Sequence, residues 1–214
     1  MSVTLHNVID IDLLKLMAQS CEHTYLGQIF KTCYLIAFFG CLRLSNLCPH
    51  LVSQFSIFKH FTKGDVFFSN DKVILLLKWT KTLQFNNQIR LLKLPRLNNV
   101  ICPFNALRKC LMLTPGGKDS PLFQFKYKSA WSPLTDTRVR RHLKSVLTLS
   151  GKPSNFVTFH SFRRSGATFA FNHNVSLQDI QRHGTWTSDC VWRYVTESSD
   201  AGSQVAQTFA SLLS

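Results

Sequence analysis

The stretch HSFRRSGATFAF, residues 160–171, puts a histidine and two arginines in one helical turn, directly before small and aromatic residues suited to burial. Arg43 is equally out of place at the end of the apolar run LIAFFGCLR, as are Lys78 and Lys81 in KWTKTLQ. Trp186 and Tyr194 share the segment GTWTSDCVWRYV. A guanidinium is a planar fork of donors that stays charged, suited to holding an anion. A histidine beside it exchanges protons near neutral pH. Singly, each residue has an ordinary reading: a helix-end cation, an exposed hairpin lysine, a basic helix start, a half-buried tyrosine. Of the other tyrosines, Tyr25 and Tyr34 read as core helix residues and Tyr127 as a loop residue.

The overall charge narrows the partner. Against 11 acidic residues stand 25 Lys and Arg, a net +14, so the field favours a polyanion, nucleic acid ahead of an acidic membrane surface. No segment approaches the roughly 18–20 apolar residues of a membrane span, and MSVTLHNVIDID lacks the regions of a signal peptide. The seven cysteines, at 21, 33, 41, 48, 102, 110 and 190, form no CxxC pair and read as reduced core thiols of an intracellular protein. An apolar share of 45% excludes a disordered chain.

The elements that must position these residues follow from periodicity and punctuation. DIDLLKLMAQSC has helical spacing, and TYLGQIFKTCYLIAFFGCLRLSNL reads as a second, mostly buried helix with Arg43 at its end. Three short strands fill KGDVFFSNDKVILLLKWTKTLQFNNQIRLLKLP, with turns at SNDK and TLQFNNQ, which gives a small antiparallel sheet presenting Lys78 and Lys81 near a turn. PFNALRKCLML opens with a proline at a first-turn position, and TPGGKDSP then breaks the chain. SPLTDTRVRRHLKSVLTLSG reads as a helix capped by Thr135 or Asp136, with Gly151 beyond its end. SLQDIQRHG makes a short helix ended by Gly184, and the tail offers a short helix and a terminal amphipathic one. The chain therefore reads as α+β, mostly helical with a small three-stranded antiparallel sheet, in one domain over 1–214.

In order and spacing these blocks resemble the catalytic domain of the tyrosine recombinases, the phage-integrase family. HSFRRSGAT is similar to that family's HxxR element, GCLRLSNL to its first-arginine element, and KWTKTLQ to its lysine-bearing hairpin. GTWTSDCVWRYV resembles the closing element, with Tyr194 eight positions after Trp186. The wording is closest to recombinases of eukaryotic mobile elements. The resemblance implies the family's catalytic-core fold and site-specific DNA cleavage and rejoining through a covalent 3′-phosphotyrosine intermediate, with Tyr194 as nucleophile. Arg43 and Arg163 would hold the nonbridging phosphate oxygens, so that no metal or other cofactor is needed. Lys81, with Lys78 as the alternative, would protonate the departing 5′ oxygen, His160 would take the tyrosine proton or orient the phosphate, and Trp186 would supply packing and an indole N–H. His183 competes for that last position. Arg138 and Arg141, which share a helix face with Lys144, are candidate DNA contacts by the same resemblance, and Lys78 is a third candidate contact.

The pattern departs from the family in two places. Members usually carry a further N-terminal helical domain that completes a clamp on the duplex, yet Arg43 follows only 42 residues. The expectation is that such a core-binding domain is absent and that DNA binding is weak and strongly salt-dependent. The position three after the first arginine, often acidic in the family, is Asn46, which puts the support of Arg43 in doubt. Expected partners are double-stranded DNA and further copies of the chain assembled on it, from a free monomer, with no small-molecule substrate. Residence in the nucleus follows if the source is eukaryotic. Two rival functions stand beside strand exchange: a DNA-binding module kept without catalysis, and a nicking enzyme of the type IB topoisomerase kind.

Overall fold

A computed structural model describes residues 8–21, 23–79, 89–152 and 157–186. Helix α1 (Ile11–Ser20) starts where the Asp10 carboxylate accepts the Leu13 N–H at 2.7 Å, and it buries Leu13, Leu14, Met17 and Ala18. Helix α2 (Tyr25–Phe39) is capped by Thr24, whose hydroxyl accepts the Gly27 N–H at 3.0 Å. It is buried along nearly its whole length, because it runs through the centre of the core.

The expected continuation of this helix to Leu47 does not occur. After Gly40 the chain turns at Cys41, with φ of 49°, in the left-handed region. The Cys41 N–H bonds to the Phe38 carbonyl at 3.2 Å and the Leu42 N–H to the Ala37 carbonyl at 3.0 Å, the paired bonds of a Schellman turn. The residue that must go left-handed is the cysteine and not the glycine before it, so the sequence gives no stop signal at the right place. Arg43 then stands at the head of the one-turn helix α3 (Leu44–Leu47).

The three strands follow expectation, while the expected turn at TLQFNNQ lies outside the described residues. Strands β1 (Val66–Phe68), β2 (Lys72–Leu77) and β3 (Arg90–Pro95) are antiparallel in the order β1-β2-β3, with Val66 opposite Leu75 and Leu75 opposite Leu92. Val73, Leu75, Leu77, Leu92 and Leu94 point inward at strand period, into the same core as α2. Helix α4 (Pro103–Leu113) has Pro103 in its first turn, as the sequence indicated. A second hairpin, β4 (Gln124–Tyr127) and β5 (Ala130–Pro133), was not expected. Its two-residue turn is Lys128-Ser129, with Lys128 at φ 54°, and lacks the Asn-Gly or Asp-Gly signature that marks such turns. Tyr127 consequently lies in a strand rather than a loop.

Helix α5 (Asp136–Leu149) has Thr135 as its cap and ends with Gly151 at φ 65°. Helix α6 (Phe159–Asn172) packs across α2, where Tyr34 and Phe162 stack with ring centroids 5.1 Å apart. Helix α7 (Leu177–His183) begins at Ser176, whose hydroxyl accepts the Asp179 N–H at 3.1 Å. Tyr34 belongs to the core as expected. Tyr25 does not: at the head of α2 it is 39% exposed, packed edge-on to Trp131 of β5. Six cysteines are free buried thiols, and burial pushes Cys21 up to about 11 and Cys41 and Cys110 up to about 12. Cys190 lies outside the described residues, as do the two helices expected in the tail. Among the described residues no helix is long and apolar enough to cross a membrane.

Gly166 sets how closely α6 approaches α2. A Cβ there would fall on the Phe38 carbonyl oxygen and crowd the Cys41 Sγ, and helix backbone cannot yield as a flexible side chain can. Gly166→Ala is therefore expected to destabilise the fold by about 1–3 kcal/mol, the usual range for overpacking, despite the better helix propensity of alanine. Urea unfolding of the two proteins measures this.

Candidate functional site

Arg163 lies on α6, one turn after His160, and has no exposed surface. Its Nη1 donates to the carbonyl oxygens of Cys41 and, at 2.8 Å, Gly184. Its Cζ lies 3.7 Å from the centre of the Trp186 ring, a cation–π stack. The two carbonyls belong to the C-terminal turns of α2 and α7, where unpaired carbonyls and helix dipoles present negative charge, so the cation is well placed between them.

Those two turns share an unusual feature. Helix α7, like α2, ends in a Schellman turn: Thr185 N–H bonds to the Arg182 carbonyl at 3.3 Å and Trp186 N–H to the Gln181 carbonyl at 3.0 Å. The left-handed residue is Thr185, at φ 58°. The equivalent turns after α5 and α6 use Gly151 and Asn174, residues that adopt this conformation readily. The two turns built on ill-suited residues are the two that Arg163 grips. Gly184 completes the arrangement, since a Cβ there would occupy the position of the Trp186 indole.

Arg43 follows Cys41 by two residues and is partly exposed. It lines, with His160, a cleft of about 570 Å³ whose walls also carry His50, Lys59, His60 and Arg140. Asp136 in the same wall accepts from His50 at 3.1 Å and lies 3.7 Å from Arg140. Partial burial, then the charges of Arg163, Arg43 and Arg164, hold the His160 imidazole below its ordinary value, so the ring is neutral at neutral pH. The cleft thus combines a cationic wall with a neutral imidazole able to accept a proton.

Asn46 supports Arg43 through the backbone. Its Oδ1 accepts the Arg43 N–H at 3.1 Å, and its Nδ2 donates to the Trp79 carbonyl, just beyond β2, at 3.0 Å. Lys78 is held in an ion pair, Nζ 2.6 Å from the Asp65 carboxylate. His183 points elsewhere, its ring 2.8 Å from the Phe39 carbonyl, so Trp186 and not His183 meets Arg163. Lys81 and Tyr194 lie outside the described residues. On α5, Arg138 stacks 3.9 Å from the centre of the Phe125 ring of the unexpected hairpin, while Arg141 and Lys144 are exposed. Lys59 and Arg140 went unnoticed in the sequence. Arg140 falls off the face shared by Arg138, Arg141 and Lys144, and only the cation–π contact of Lys59 with Trp79, at 4.5 Å, distinguishes Lys59 from an ordinary loop lysine.

Two measurements bear on this geometry. In NMR titration His160 should deprotonate with a midpoint below about 6.5, rising toward that value in Arg43→Gln, because removing a neighbouring cation favours the protonated ring. A midpoint at or above the ordinary value contradicts the placement. Gly184→Ala should expel the indole from Arg163, changing the near-ultraviolet circular dichroism and lowering the unfolding midpoint. An unchanged aromatic signal would mean that Trp186 does not pack there.

No protein-family model matches the chain, and no curated protein does. Solved structures do. The XerH site-specific recombinase, in its post-cleavage complex with palindromic difH substrate, superposes with a TM-score of 0.67 at 15% identity, over 95% of this chain and 52% of that one. XerA recombinase gives 0.65 at 13% identity, over 95% and 63%. A lambda integrase dimer bound to a COC′ core site gives 0.59 at 15% identity, over 93% and 62%. The chain spans about half to two thirds of the length of these proteins. With its central α2, antiparallel sheet and crossing α6, it has the fold of a tyrosine recombinase catalytic domain.

Proposed function

We propose that this chain is a tyrosine recombinase, cutting and rejoining DNA strands through a transient bond between DNA and Tyr194. The observation that carries the reading is the meeting of Arg43, His160, Arg163 and Trp186. They come from three distant parts of the sequence, gather around the ends of α2 and α7, and have a cationic cleft beside them. The similar structures include recombinases bound to DNA substrates, which supports duplex DNA as partner, and a dimer on its site, which supports assembly of several copies on DNA. A eukaryotic mobile-element origin rests on the wording of the sequence blocks alone.

In this reading Arg43, at the cleft, holds the nonbridging oxygens of the scissile phosphate as charge builds on them. Neutral His160 takes the phenolic proton as the Tyr194 oxygen bonds to phosphorus. The bond from phosphorus to the 5′ oxygen breaks, and Lys81 gives that oxygen its proton. Lys78 is the weaker candidate because Asp65 already engages it. Rejoining is the reverse, with the free 5′ hydroxyl as nucleophile. Arg163, held by the Cys41 and Gly184 carbonyls under the Trp186 ring, positions the turns that lead to Arg43 and Trp186. Arg138 and Arg141 serve as duplex contacts on α5.

One observation favours a second reading, a DNA-binding module without catalysis: the Arg163 guanidinium has no surface to offer a phosphate. Nicked suicide duplexes at low salt separate the two. Recombinase action predicts a covalent protein–DNA adduct, absent in Tyr194→Phe and formed about 10²–10³-fold more slowly in Arg43→Ala. Binding without adduct, equal in all three proteins, would establish the module.

A further inference from the structure

Asn46 is 2% exposed and both ends of its side chain are used. Its Oδ1 accepts from the turn that carries Arg43, and its Nδ2 donates to the carbonyl of Trp79, 33 positions away just beyond β2 and two residues before Lys81. A neutral amide does both. A carboxylate would accept the Arg43 N–H but set negative charge against the Trp79 carbonyl, and alanine would do neither. The same strand end is fastened twice more. Lys59 stacks on the Trp79 ring, and Lys78 pairs with Asp65, which itself accepts from the Thr62 N–H at 2.7 Å and the Thr62 hydroxyl at 2.9 Å.

We infer that Asn46 is a positioning residue whose amide fastens the strand leading to Lys81 against the turn bearing Arg43. The turn bearing Arg43 and the strand end two residues before Lys81 are then tied to one another. This rests on the recombinase reading, and it explains why an amide serves here where the family resemblance leads to an acid. The acid would support the arginine side, whereas the amide also reaches the hairpin.

The test compares Asn46→Asp and Asn46→Ala with the parent, by single-turnover adduct formation on nicked duplex at saturating DNA and by hydrogen exchange of backbone amides. In Asn46→Asp, DNA affinity should stay within about threefold while adduct formation at pH 8 falls about tenfold or more, one lost buried hydrogen bond being enough for that factor. Relative to the parent, the rate should recover toward pH 6, where a buried carboxyl is protonated and regains a donor. Asn46→Ala should show the loss without the recovery. Exchange should quicken at residues 77–79 in both variants, and at the Arg43 amide only in Asn46→Ala. The inference is overturned if Asn46→Asp cleaves like the parent at every pH, or loses activity with no recovery and unchanged exchange at 77–79. If Asn46→Ala does not fold, Asn46→Asp alone decides. Should the parent form no adduct, the recombinase reading fails, and exchange at 77–79 decides the positioning role: faster supports it, unchanged overturns it.

Discussion

A guanidinium buried without solvent, that of Arg163, organises the rest of the molecule. An unpaired buried cation is strongly unfavourable, so its donors must be met by acceptors that cannot drift away. The carbonyls of Cys41 and Gly184 accept from its Nη1 at the negative ends of α2 and α7, and the Trp186 indole covers the charged face. Two helices must therefore end at one place, each by a left-handed turn on a residue poorly suited to it, Cys41 and Thr185. Local backbone preference is overridden there by a single charge and its acceptors.

The consequences run outward along short stretches of chain. Because Cys41 is held, Arg43 two residues later is placed at the cleft. Because α6 carries Arg163, His160 one turn earlier comes to the same cleft, its basicity lowered by partial burial and by surrounding arginines. Gly166, one turn after Arg163, lets α6 lie against the end of α2 closely enough for the contact to form. Asn46 extends the chain of support from the Arg43 turn to the end of β2. A net charge of +14 surrounds this framework with a field suited to a polyanion.

Much of this was legible in the sequence, and the rest has physical reasons for being hidden. The cap at Thr135 and the first-turn Pro103 announce their helices because they act locally. The grouping of Arg43 with His160 and Arg163 was legible from their order and their incongruous settings. The stop after Phe39 was not, because Cys41 is held left-handed by tertiary contacts; nor was the hairpin β4–β5, whose turn lacks its usual residues. The complete burial of Arg163, the pairing of Lys78 with Asp65 and the double use of Asn46 join residues distant in the chain, which periodicity cannot reveal. The expected exposure pattern also failed at Tyr25, where the first turn of an otherwise buried helix emerges beside β5.

In the proposed function this cluster acts on a DNA phosphate with Tyr194 as the attacking group. Its most direct test is to trap the protein on a nicked duplex, digest both components, and locate the attached nucleotide by mass spectrometry. A nucleotide joined through its 3′ phosphate to the peptide containing Tyr194 is expected. Attachment at another residue, or DNA bound with no attachment, would contradict it.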